Sequence, residues 1–170
     1  GLPSRDTYMS LREEFPAGET NPVVVVLDLA APATEPASIR AVMDLTARIE
    51  ALDGIDRVES PFAIRDPQTG TVLGADQVAA FYALPTGQRP PGLDQLLEVY
   101  VRDRTVRLNA ISPVPPTRPE GSAVVPAIRS LSLPAEVRAI TVGGVAALAH
   151  DFLESQNERM PFAIITTLLV

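Results

Sequence analysis

The chain has 170 residues, 46% of them hydrophobic, which is enough for one domain or two small ones with a real core and excludes disorder throughout. It has no cysteine, so a disulfide framework and a thiolate metal site are excluded. Its net charge of −7 repels phosphate backbones and its aromatic content of 5% leaves few rings for bases to stack on, so nucleic-acid binding is disfavoured.

All 14 basic residues are arginine, which we read as the codon bias of a GC-rich genome, and the 17 prolines predict rigid loops. The first residues lack the basic region and apolar core of a signal peptide. In chain order, residues 4–15 (SRDTYMSLREEF) predict a helix capped by Ser4, with Tyr8, Leu11 and Phe15 on one face. Pro16, Gly18 and Pro22 end it. VVVVLDL at 23–29 is continuously apolar and predicts a strand buried on both faces. A helix follows, capped by Thr34 with Pro36 in its first turn and a stripe of Ile39, Val42, Met43, Thr46, Ile49 and Leu52. Asp53-Gly54 ends it, and residues 55–60 predict a second strand.

Residues 62–102 read as an insertion: a DPQTG turn at 66–70, a short helix at 75–84, an irregular loop at 85–92, and at 93–102 either a strand or, the preferred reading, a helix capped by Asp94. TVRLNAI at 105–111 alternates as a strand, with Val106, Leu108 and Ala110 on one face and Arg107 and Asn109 on the other. A stiff proline linker at 113–121 leads to a helix capped by Ser122 and carrying Val124, Val125, Ile128 and Leu131. Residues 138–142 predict the fourth strand, Gly143-Gly144 a tight turn, and a last helix runs from Val145 through Asn157 with a kink at Pro161. PFAIITTLLV at 161–170 carries no charge but is shorter than the ~20 residues of a membrane span. Both ends read as cuts within a longer chain. With the insertion set aside, the order strand–helix–strand–strand–helix–strand predicts an α+β, ferredoxin-like βαββαβ sandwich with helices on one face of an antiparallel sheet.

Three stretches resemble the MmpL family of RND-superfamily transporters. GLPSRDTYMSLREEFPAGETNPVVVVLDL at 1–29 is similar to the start of an extracytoplasmic porter domain: a helix leaving the membrane, a Phe-Pro break and a valine-rich strand. ALDGIDRVESP at 51–61 and ITVGGVAALAHDFLESQNERMPFAIITTLLV at 140–170 resemble the family's V-x-S-P stretch and its exit helix. The Phe-Pro-x-Gly and Pro-Val-Val pattern favours the second of the family's two such domains. The resemblance implies a membrane-exit helix and linker at 1–22, a porter-like domain at 23–143, and a helix at 144–170 running into a truncated span. It also implies proton-driven export of lipids or other hydrophobic molecules across a cell membrane, with this domain on the extracytoplasmic side. Its partners would be the cargo, the membrane helices and the other extracytoplasmic domain; the proton relay lies in those absent helices.

No residue set predicts catalysis, a cofactor or a metal. Gly143-Gly144 matches no phosphate-loop spacing. His150, Asp151 and Glu154 are a poor transition-metal set, and neighbours on a helix diverge. Glu13-Glu14 does not converge for acid–base work, and RDRTVR at 102–107 reads as a solvated turn. Phe81, Tyr82 and Tyr100 either line a groove for an acyl chain or form a satellite core under the insertion. On the transporter reading, Asp151 sits near the membrane, placed to pair with an arginine of a neighbouring domain. The alternative is a soluble ferredoxin-like module that binds a small ligand or dimerises. Membrane spans in the sequence on either side of this chain separate the two readings.

Overall fold

The computed structural model describes residues 21–168 apart from Pro67 and Thr117, with side chains as far as Asn157. The helix expected at 4–15 lies outside the described residues. The fold is α+β: strands β1 (Val23–Leu29), β2 (Arg57–Glu59), β4 (Thr105–Ile111) and β5 (Val137–Gly143) form an antiparallel sheet in the order β2-β4-β1-β5. A fifth short strand, β3 (Val101–Arg102), pairs with the start of β4.

β1 lies between β4 and β5, with Val25 opposite both Leu108 and Val142. It was expected to be buried on both faces. Instead it alternates: Val23, Val25, Leu27 and Leu29 are buried, whereas Val24 and Val26 are half covered and Asp28 is exposed. Four consecutive β-branched residues therefore record a central position in the sheet rather than burial on both faces.

Helix α1 (Pro36–Glu50) connects β1 to β2 and buries Ile39, Val42, Leu45 and Ile49 against the β1 side chains. Ile39, Val42, Thr46 and Ile49 of the predicted stripe are buried at helical spacing, Leu45 joins them, and Met43 and Leu52 are only partly buried. Its N-cap is Glu35 rather than Thr34, and no side chain caps it; Pro36 at the first position needs no donor partner there. Gly54 takes φ +86°, in the loop that turns the chain from α1 into β2.

The insertion is part of the fold. Arg65 and Val72 form a bridge around the 66–70 turn, where the Asp66 carboxylate accepts the Gln68 N–H at 2.7 Å. Helices α2 (Ala75–Ala83) and α3 (Leu93–Tyr100) follow, and their Val78, Ala79, Tyr82 and Leu93 join the main core. Asp94 does not cap α3. Gly92 does, at φ +89°, and Asp94 in the first turn accepts Arg89 Nη1 at 2.6 Å. The solvated turn expected at 102–107 is confined to the tip of the β3–β4 hairpin, with Asp103 at φ +50°; Thr105–Arg107 belong to β4, where Val106 is buried.

The proline linker ends in a helical turn, α4 (Pro119–Ser122), before α5 (Val124–Arg129). Ser122 does not cap α5; its hydroxyl donates to the Pro119 carbonyl at 3.1 Å. α5 buries Val124, Val125 and Ile128 in the same core. Gly144, at φ +92°, turns β5 into α6 (Val145–Leu168), a single helix that continues through Pro161. Among the described residues no helix is long and apolar enough to cross a membrane.

Candidate functional site

Two grooves flank the segment Ala63–Arg65, where the insertion leaves the sheet. The larger, about 530 Å³, runs between that segment and α3 and is walled by Ile64, Leu93, Leu96, Val99 and Tyr100. The smaller, about 310 Å³, lies between α1 and the 65–72 hairpin, over Met43, Ala47, Val58 and Val72, with Glu50 and Arg65 at its edge. Ala63 and Arg65 line both. These volumes fall within the few hundred Å³ typical of small-molecule sites. Val99 and Val72 are 60% and 48% exposed, so apolar surface on both grooves faces water.

The wall of the larger groove is fixed from the open face of the sheet. Glu59 of β2 accepts Asn109 Nδ2 at 3.0 Å and the Tyr100 hydroxyl at 3.4 Å. Arg107 Nε donates to Asn109 Oδ1 at 3.1 Å, which holds the amide in that orientation. Burial, and then the neighbouring Glu59 carboxylate, push the Tyr100 phenol above its ordinary pKa. Tyr100 therefore stays a neutral donor at neutral pH, its oxygen tied to the sheet and its ring beside the groove. A neutral, anchored phenol among aliphatic side chains holds apolar surface; it supplies no nucleophile.

The three aromatics singled out in the sequence separate. Tyr82 is only 3% exposed, meets Phe62 edge-on at 5.4 Å, and donates its hydroxyl to the Pro61 carbonyl at 2.7 Å. Burial raises its pKa to about 12. Phe81 packs half-buried against the same core. Tyr100 alone of the three lines a groove.

Asp151 of α6 takes Arg129 of α5 in a two-point grip, at 2.6 and 3.1 Å. That arginine belongs to the same folded unit, and its hydrogen bond holds the Asp151 carboxyl below the usual carboxylate range. His150 and Asp151, expected to point apart on the helix, have donor atoms that lie together with those of Glu154 within 4.8 Å of one another. His150 Nε2 lies 3.9 Å from Glu154, and a cation there would compete with Arg129 for Asp151.

Sequence reasoning missed Ile64, Leu96 and Val99 as groove residues, Glu59 and Asn109 as the anchors of Tyr100, and Arg129 as the partner of Asp151. Leu96 and Val99 are i, i+3 neighbours on α3, a visible signal. The Glu59–Asn109 pairing depends on strand register, which no local pattern encodes. No match is found among models of known protein families or among curated proteins.

Proposed function

We propose that this chain is a ferredoxin-like, porter-like extracytoplasmic domain of an RND/MmpL-type transporter that moves lipids or other hydrophobic molecules. The observation that carries the reading is the position of the two ends of the folded unit. A Cβ on Gly144 would lie 2.8 Å from the Pro22 carbonyl oxygen, so the chain joins β1 at the point where it leaves β5 for α6. A domain whose two ends lie side by side is suited to sit as a loop between two consecutive membrane spans. The strand order β2-β4-β1-β5, with α1 after β1 and α5 before β5, supports the ferredoxin-like topology with residues 62–102 inserted between β2 and β4. The residues quoted above for the family resemblance supply the family. On this reading the grooves beside Ala63–Arg65 form part of the cargo's passage or docking surface, and the domain performs no chemistry. It moves against its partner domain as the membrane part alternates.

The test is the full-length protein. Its coding sequence should place a span of roughly 20 apolar residues on each side of this domain, and a reporter fused within the domain should be active only outside the cytoplasm. Polar flanks would overturn the reading and favour the soluble module, for which the edge position of β5 offers a dimerisation strand.

A further inference from the structure

The two grooves share one wall. Ala63 and Arg65, two residues apart, line both, so the grooves run up to either side of one short ridge of chain. The ridge is pinned: Arg65 bridges to Val72, and the Leu73 N–H donates to the Ile64 carbonyl at 2.8 Å. The outer wall of one groove is α3 and that of the other is α1, and both linings are mostly apolar.

Charge is not spread evenly over this surface. In a chain of net charge −7, Arg65 is the only charged side chain among the described residues that line the larger groove. The smaller groove adds Glu50 and Arg57. Arg57 already lies 3.5 Å from Asp56 and 3.9 Å from Glu59. Glu50 disfavours an anion on the α1 rim. Arg65 is exposed, and its guanidinium makes one hydrogen bond among the described residues, from Nη1 to the Gly70 carbonyl at 3.2 Å. Most of its N–H donors therefore remain open to a ligand where the two apolar grooves meet. An arginine that lays its stem on apolar surface and keeps its head in water complements a molecule built the same way.

We propose that the ridge holds an amphiphile with two apolar arms joined at an anionic phosphate head, one arm in each groove and the head on Arg65. The assignment rests on reading the grooves as a cargo surface, and it narrows the cargo from hydrophobic molecules in general to this class. A single-chain molecule fills one groove and leaves the other in water. A zwitterionic head brings its own cation beside Arg65, whereas an anionic phosphate offers the guanidinium a charge-assisted contact without that repulsion.

The test is calorimetric titration of the 170-residue chain with short-chain lipids below their micellar concentrations. Dihexanoyl phosphatidylglycerol should bind more tightly than dihexanoyl phosphatidylcholine. Arg65→Gln should weaken the phosphatidylglycerol at least about tenfold and remove that preference. The corresponding single-chain lysolipid should bind at least about tenfold more weakly than the two-chain lipid. Ala47→Phe in the smaller groove and Val99→Phe in the larger, both at exposed lining positions, should each reduce the two-chain lipid to the single-chain level. Unchanged circular dichroism of the three variants separates these losses from misfolding. Equal affinity for one and two chains, or indifference to the filling of either groove, would overturn the two-arm assignment. A preference for phosphatidylglycerol that survives in Arg65→Gln would overturn the placement of the head, and no binding of any of these lipids would overturn both. Each of these results leaves the transporter reading to its own test, the flanking spans. Polar flanks with the expected affinities intact would sink the transporter reading alone.

Discussion

At the scale of single residues, Tyr82 shows how burial redirects a side chain chosen for its chemistry. Its position in an aromatic pair, Phe81-Tyr82, suited a groove wall and a core equally well in the sequence. What decides is the T-shaped contact with Phe62 and the hydroxyl's bond to the Pro61 carbonyl, both set by a loop some twenty residues earlier. Its pKa of about 12 lies above the ordinary 10.0, so the folded state favours the neutral phenol. The stabilisation is complete below pH ~10, where folded and unfolded chains are both neutral at this group, and is lost as pH rises through the folded value. Tyr82→Phe should cost about 1 kcal/mol at neutral pH from the lost hydrogen bond. It should also remove the last-ionising component from the ultraviolet phenolate titration of the three tyrosines. Denaturant unfolding at neutral and alkaline pH checks both expectations; an unchanged late component would mean that another tyrosine carries it.

At the scale of elements, periodicity was legible and partners were not. The α1 stripe and the β4 alternation were visible because both faces of each element differ in polarity. Caps were misassigned at Thr34, Asp94 and Ser122 because the type of residue that caps a helix is common before helices that use a backbone turn or glycine instead. Residues 62–102 read as an insertion in the sequence, yet Tyr82 and Leu93 are part of the core. The Arg129–Asp151 grip was equally hidden, since it joins two helices through the turn at Gly144. It fastens the base of α6 to α5, and its contribution has a definite acid limit. The Asp151 pKa is lowered, so the contribution is present above the ordinary carboxylate range and is lost as pH falls through the folded value. The first turns of α6 should therefore open at acid pH while the sheet persists, and Arg129→Met should produce that opening at neutral pH. Amide exchange of residues 145–151 in the two proteins checks this; identical neutral exchange would mean that Ala146 and Ala147 alone hold the helix.

At the scale of the whole molecule, the strand order follows from which strands carry the apolar faces, but the grooves arise from how the insertion docks. β1, β4 and β5 share one buried face, and α1 and α5 close it. The segment at Ala63–Arg65 stands between α1 and α3, and the space on either side of it is the pair of grooves. No sequence pattern announces such space, because it is defined by side chains far apart in the chain. Its apolar walls give a concrete expectation for the isolated domain. A single-chain fatty acid should bind in the larger groove, and at a hundredfold excess over its Kd should stabilise the fold by about 2.7 kcal/mol, read as a rise in Tm. Leu96→Glu with Val99→Glu should abolish the shift, since a carboxylate there would meet the acyl chain without a partner. Leu148→Glu, on the distant face of α6, should leave it intact. A shift lost equally in both variants would mean that the fatty acid reports general apolar exposure, and the groove would then have no claim to a hydrophobic ligand.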